Sequence, residues 1–256
     1  MTRDVIPIKS SSEVERMRRA CAAAAAVLRD VAGMVQPGRP TAELDVAASE
    51  LIARHGGKSA FFGYRGFPGQ ICVSVNDEVV HGIPGARKIQ YGDIVSMDVG
   101  IVLDGFIGDN ATTVAVGVVK PRTAELLRVT QQALHAGIAQ ARVGKRVGDI
   151  SHAIQATVEA HGFSAVREFV GHGVGRRMHE EPQIPNFGKA GTGPKLKAGM
   201  TLAIEPMINA GTAEVQVLED KWTVVTADGA PSAHFEHTVL VTDGEAEILT
   251  WQEKMP

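Results

Sequence analysis

The sequence predicts an α+β fold: two pseudo-symmetric halves, each running helix, helix, strands, around one central sheet with the helices outside. Three observations carry this expectation. The chain repeats itself: PGRPTAELDVAASELIARHGG and VGKRVGDISHAIQATVEAHGF align at an offset of 106, pairing His55-Gly56 with His161-Gly162. YGDIVSMD then aligns with AGMTLAIE at an offset of 107. Within each repeat, apolar residues first recur at helical spacing and then gather into short runs of strand character. Finally, Asp104-Gly105 separates DIVSMDVGIVL from FIGDNATTVAVGVV, and an Asp-Gly pair between such runs signals a two-residue hairpin turn.

Taken in order, Ser10-x-x-Glu13 and Ser12-x-x-Glu15 both read as capping boxes for a first helix. Val14, Met17, Cys21, Leu28 and Val31 carry it to about Gly33, and its run of alanines from Ala20 to Ala26 implies close packing. Pro37-Gly38 breaks the chain. Thr41 caps a second helix with Leu44, Ala47, Leu51 and Ile52 on one face, ending at His55-Gly56-Gly57. Residues 61–75 read as loop and then strand, followed by the hairpin. Pro121 opens a third helix through Leu126, Val129, Leu134 and Ile138. A fourth, with Ile150, Ile154 and Val158, stops at His161-Gly162. The halves span about 10–119 and 120–250, with no low-complexity linker between them, so a single domain over 1–256 is expected.

The composition narrows the function classes. With 44% hydrophobic and 21% charged residues among 256, the chain reads as an ordinary globular protein with a well-buried core. A net charge of −3 gives no electrostatic reason to bind nucleic acid or a membrane surface. Cys21 and Cys72, the two cysteines, form no CxxC pair and read as reduced thiols of a cytoplasmic protein. The N-terminal stretch lacks the apolar core of a secretory signal, and the alanine run is too short to span a bilayer.

The chemistry centres on GHGVGRRMHEEP, residues 171–182, where His172 and His179 lie seven apart among glycines. Glycines at 171, 173 and 175 allow the backbone close to a ligand or a neighbouring strand. That spacing alone is weak; the carboxylates decide. The repeat sets Asp98 opposite Glu205, both in apolar strand sequence where an unpaired charge is costly. A turn at Asp104-Gly105 places Gly100 opposite Asp109, which makes Asp98 and Asp109 diagonal neighbours on one face, within reach of one cation. Glu236, in HFEHTVLV, is a fourth acid in a strand pattern, with Thr238 on its face. Buried carboxylates repel unless a cation holds them together. Four of them with an imidazole suit two divalent ions of the Mn, Fe or Co type, and zinc is also compatible.

With these residues in place the chain resembles a type I methionine aminopeptidase of the bacterial kind, from Ser10 to about Trp251. The resemblance rests on GHGVGRRMHEEPQIPNF, SVNDEVVHGIP, SMDVGIVLDGFIGDNATT, AIEPM and FEHTVLVTDG. It implies the pita-bread fold, with a curved antiparallel sheet, and neither an N-terminal zinc-finger extension nor the type II insertion. It implies metal ligands at Asp98, Asp109, His172, Glu205 and Glu236, binding two divalent ions (Co, Mn, Fe or Zn) bridged by a hydroxide. It implies catalytic roles for His81, His179 and Glu205, and a methionine pocket of Phe61, Tyr64, Phe67, Cys72, Met178 and Trp222. Apolar walls with sulfur and aromatic faces suit a thioether. Two positions depart from the commonest pattern: Phe61 stands where a small residue is often found, and Met178 replaces a usual Phe.

The implied reaction removes the initiator methionine from nascent polypeptides with a small second residue, in the cytoplasm near the ribosome exit, by a monomer. Glu205 would serve as general base, His179 would hold the carbonyl oxygen and His81 would contact the scissile nitrogen. Competing readings are an X-Pro-cleaving pita-bread peptidase, a metal-free amidinohydrolase and a non-enzymatic binding protein on the same fold. The other histidines read as structural: His55 and His161 at helix C-termini, His135 and His152 solvated, His234 and His237 flanking Glu236 with His237 turned away. Arg176 and Arg177 read as surface charges near the site mouth.

Overall fold

A computed structural model describes residues 5–251. Among the described residues four α-helices form where periodicity places them: α1 Ser11–Ala32, α2 Thr41–Arg54, α3 Pro121–Ile138 and α4 Val147–Glu159. The first of the two capping boxes is the one used. Glu13 accepts hydrogen bonds at 3.0 Å from both the backbone N–H and the hydroxyl of Ser10, while Ser12 already lies inside α1. At α2 the expectation fails by one residue. Pro40 is the extended N-cap and Thr41 the first helical residue; the Thr41 hydroxyl is drawn off to Gly85, donating to its carbonyl at 3.2 Å and accepting from its N–H at 2.9 Å. The repeat reappears at the helix ends, where Gly56 and Gly162 both take left-handed φ, 73° and 68°.

The central sheet has nine strands in the described residues, every pairing antiparallel. Its middle reads Ile94–Leu103, Phe106–Ala115, Glu236–Leu240, Thr201–Ile204, Gly171–Gly173. That order is the duplication made visible. The inner pair, Phe106–Ala115 with Glu236–Leu240, joins the halves, and the two strands aligned by the repeat flank it on either side. The hairpin has the expected register, Gly100 opposite Asp109, with Asp104 and Gly105 at φ 52° and 76° as a two-residue turn of this hand requires.

Each half supplies a buried cluster. Leu28, Leu44 and Ile52 of α1 and α2 pack with Met97 and Ile101, and Leu126, Leu134, Ile150 and Ile154 of α3 and α4 pack with Leu202 and Ile204. The alanines of α1 let it lie almost on the hairpin: a Cβ at Gly108 would sit 2.4 Å from the Ala20 carbonyl. Gly108→Val is therefore expected to destabilise by overpacking, typically about 1–3 kcal/mol, read as a lower denaturation midpoint at unchanged m-value.

Candidate active site

The register alone assembles the carboxylates. Ala111 pairs with Asp98 on one side and with Glu236 on the other, so these two acids stand on one face with only a methyl group between them. Asp109, two residues from Ala111, points the same way. One ligand atom from each of Asp98, Asp109 and Glu236 lies within 4.8 Å of the others. Glu205 follows the last residue of Thr201–Ile204, whose Ile204 pairs with His237, so it comes in beside Glu236. Asp98 Oδ1, Asp109 Oδ1 and Glu236 Oε1 are buried without a hydrogen-bond partner. Buried acceptors with no donor are expensive, and cations are the partners that suit them. The donor set therefore fits divalent metal.

Charge follows from burial. Burial pushes Asp98, Glu205 and Glu236 well above the usual carboxylate range, and their carboxylate neighbours push further in the same direction. Asp109 is pushed up to about 7 by burial, offset by its hydrogen bond with Glu236. Without a cation, burial and mutual repulsion both favour the protonated form of these groups.

His172, on the strand Gly171–Gly173, faces them. Its Nε2 lies 3.3 Å from Glu205 and 3.8 Å from Asp109. Its Nδ1 is 2.9 Å from the Gly173 carbonyl, which only accepts, so the proton sits on Nδ1 and Nε2 offers a lone pair to the centre. Burial lowers its pKa to about 3, keeping the ring neutral. Gly173 is required here: a Cβ would lie 2.2 Å from the Glu181 carbonyl.

The His179 ring is tilted against that of His172 with centroids 4.4 Å apart, and its Nδ1 is 2.9 Å from the Tyr64 hydroxyl. Burial, helped by the Arg65 cation, lowers its pKa. His81 sits at φ 60°, a conformation uncommon outside glycine, edge-on to Phe169 and Trp222. Burial brings its pKa down to about 4. Above this floor opens a cavity of about 290 Å³, and Phe61, Tyr64, Phe67, Cys72, Met178 and Trp222 all line it. Every site residue expected from sequence thus borders one cavity. Phe61 fills the space over Gly100, where a Cβ would lie 2.5 Å from its ring.

The model of metallopeptidase family M24 matches residues 15–243. The chain belongs to metallopeptidase family M24. Among its relatives, a methionine aminopeptidase of Clostridium perfringens is 49% identical over 246 residues, 96% of this chain and 99% of the relative. The crystal structure of methionine aminopeptidase from Thermotoga maritima superposes with a TM-score of 0.95 at 49% identity, covering 97% of this chain and 100% of that one. The prolidase from Pyrococcus furiosus, at TM-score 0.78 and 22% identity over 96% of this chain and 66% of its own, shares the pita-bread fold.

Some residues of this M24 site escaped the sequence reading. His234 is 2% exposed, lines the cavity and places Nε2 3.8 Å from Glu205. It lies two residues before Glu236, and the alternation that turns His237 away would have turned His234 inward. Met207 and Phe169 also line the cavity; Phe169 lies outside any strand or helix, and Met207 opens the three-residue strand Met207–Asn209, too short to show a period. His237 does point away, its Nδ1 2.9 Å from Thr250. Thr238 serves Asp109 rather than Glu236, donating to the Asp109 backbone carbonyl at 2.7 Å. Arg176 does not line the cavity: it pairs with Glu13 at 3.2 Å and lies over the Phe106 ring, turned toward α1.

Proposed function

We propose that this chain is a metal-dependent aminopeptidase that removes N-terminal methionine from polypeptides whose second residue is small. The observation that carries the reading is a cluster of orphaned buried carboxylates at the floor of an apolar cavity walled by aromatic and sulfur side chains. Full-length similarity to methionine aminopeptidases supports it. Asp98, Asp109, His172, Glu205 and Glu236 would hold two divalent ions of the Mn, Fe, Co or Zn type. Bound there, they supply Lewis-acid polarisation and a water acidic enough to attack at neutral pH.

The chain's own residues do the rest. The cavity walls take the methionine side chain and set the scissile bond over the floor. Glu205, whose Oε1 lies 3.3 Å from His172 Nε2 at the cavity floor, accepts a proton and returns it to the leaving amine. His179, oriented through Tyr64, steadies the carbonyl oxygen as charge develops there. His81 contacts the scissile nitrogen. A non-enzymatic binding protein would have no use for the orphaned carboxylates, which cost stability unless they hold metal.

The substrates are nascent polypeptides, met in the cytoplasm near the ribosome exit by a monomeric enzyme. Both cysteines are free and buried, and among the described residues no helix is long and apolar enough to cross a membrane. The test compares Met-Ala-Ser with Met-Lys-Ser under identical metal loading. The small second residue is expected to be cleaved and the lysine peptide left intact, because its side chain collides with the rim around His81 and Tyr64. Comparable kcat/KM for the two peptides would reject the size filter.

A further inference from the structure

The turn that presents Met178 and His179 is closed by a single carboxylate. Glu180, the next residue, is 8% exposed. Its Oε1 accepts from the backbone N–H groups of Arg176 and Arg177 at 3.0 and 3.2 Å. Its Oε2 accepts from Lys9 Nζ at 2.7 Å, and both side chains of that ion pair are 5% exposed. The partners are 171 residues apart, and Lys9 precedes residue 15, where the family match begins. Room for the pair exists because residue 175 is glycine: a Cβ there would lie 2.7 Å from Lys9 Cε and 2.9 Å from both Glu180 oxygens. Lys9 is itself fixed by its backbone, donating to the Gly199 carbonyl at 2.8 Å. Ser10, the N-cap of α1, follows directly.

A buried ion pair is a poor device for stability alone, since well-packed apolar side chains of like volume do as well or better. What apolar side chains would not supply is the carboxylate's grip on two consecutive backbone N–H groups. We propose that Lys9 and Glu180 are positioning residues for His179. Lys9 aims the Glu180 carboxylate, the carboxylate fixes the 175–180 turn from below, and the Tyr64 hydroxyl fixes the imidazole from above. The inference rests on the aminopeptidase reading, in which His179 acts on the carbonyl oxygen.

A mutant cycle tests it on metal-loaded enzyme with Met-Ala-Ser. Lys9→Met and the neutral double variant Lys9→Met/Glu180→Gln are expected to lose roughly 10–100-fold in kcat, the scale of a misplaced catalytic group. KM and bound metal should stay within about twofold of the parent, and Lys9→Arg should keep most of the rate. Adding His179→Ala to Lys9→Met should cost little beyond His179→Ala alone, because both remove one interaction. In the metal-free protein the His179 ring resonances should shift in Lys9→Met. Multiplicative losses in the cycle, or a Lys9→Met enzyme with parental kcat and an unmoved His179 signal, would overturn the inference. An inactive parent enzyme would instead overturn the aminopeptidase reading, so the two failures are distinguishable.

Discussion

Stripping divalent metal is expected to abolish peptidase activity, with Mn, Co or Fe restoring it, and to make stability fall as pH rises. The carboxylates set that slope. Asp98, Glu205 and Glu236 have folded pKa values well above their ordinary ones and Asp109 is raised to about 7. A raised pKa contributes stability that is fully present below the unfolded value and lost as pH climbs through the folded one. The buried histidines work in the opposite sense. His172 and His234, lowered to about 3, and His81, lowered to about 4, favour folding above their ordinary 6.5 and oppose it as pH falls.

The two groups offset each other in mild acid. The unfolded-state histidines finish losing their protons only about one unit above 6.5, so the carboxylate slope stands alone from about pH 7.5, and the metal-free melting temperature should fall as pH rises beyond that point. Metal binding expels those protons and adds about 2.7 kcal/mol when the free ion is at 100 times its Kd, which should flatten the profile. Glu236→Gln sharpens the test, since a glutamine cannot ionise. It should raise metal-free stability at pH 8 while reducing the gain from added metal. A metal-free profile that keeps rising above about pH 7.5, or full activity with no metal bound, would sink the metal-site assignment.

What the sequence made legible is what short-range physics determines. Turn chemistry at Asp104-Gly105 fixed the register that sets Asp98 beside Asp109, and helical periodicity with the repeat placed all four helices and the flanking strands. The acids announced themselves because charge inside apolar strand sequence needs a partner. The Phe61, Tyr64, Phe67 and Trp222 walls were reached only through family resemblance: a loop has no period, and nothing local says which way its rings turn. Thr41 was misread for a tertiary reason, its hydroxyl being engaged by Gly85, 44 residues away. The Lys9–Glu180 pair was invisible for the same reason on a longer scale. His234 differs, since alternation would have found it.

Exchanging each of the two facing histidines for alanine should separate binding from chemistry. His172 presents a bare Nε2 toward Glu205 and Asp109, its tautomer held by the Gly173 carbonyl. His172→Ala should therefore weaken metal binding by more than the roughly 10–100-fold that losing an outer partner of a ligand costs, and the rate should fall with occupancy. His179 stands 4.4 Å from that ring, and its Nδ1 is tied to Tyr64 rather than turned to the carboxylates. His179→Ala should leave bound metal nearly unchanged and cut kcat by roughly 10²–10³-fold, the loss expected for one donor to a developing oxyanion. Because that interaction strengthens only as charge develops, kcat and kcat/KM should fall together. Tyr64→Phe should reproduce part of the loss, since it frees the ring without removing it. Metal analysis beside steady-state kinetics on Met-Ala-Ser checks all three variants. If His179→Ala emptied the site while His172→Ala kept its metal, the two roles would be reversed.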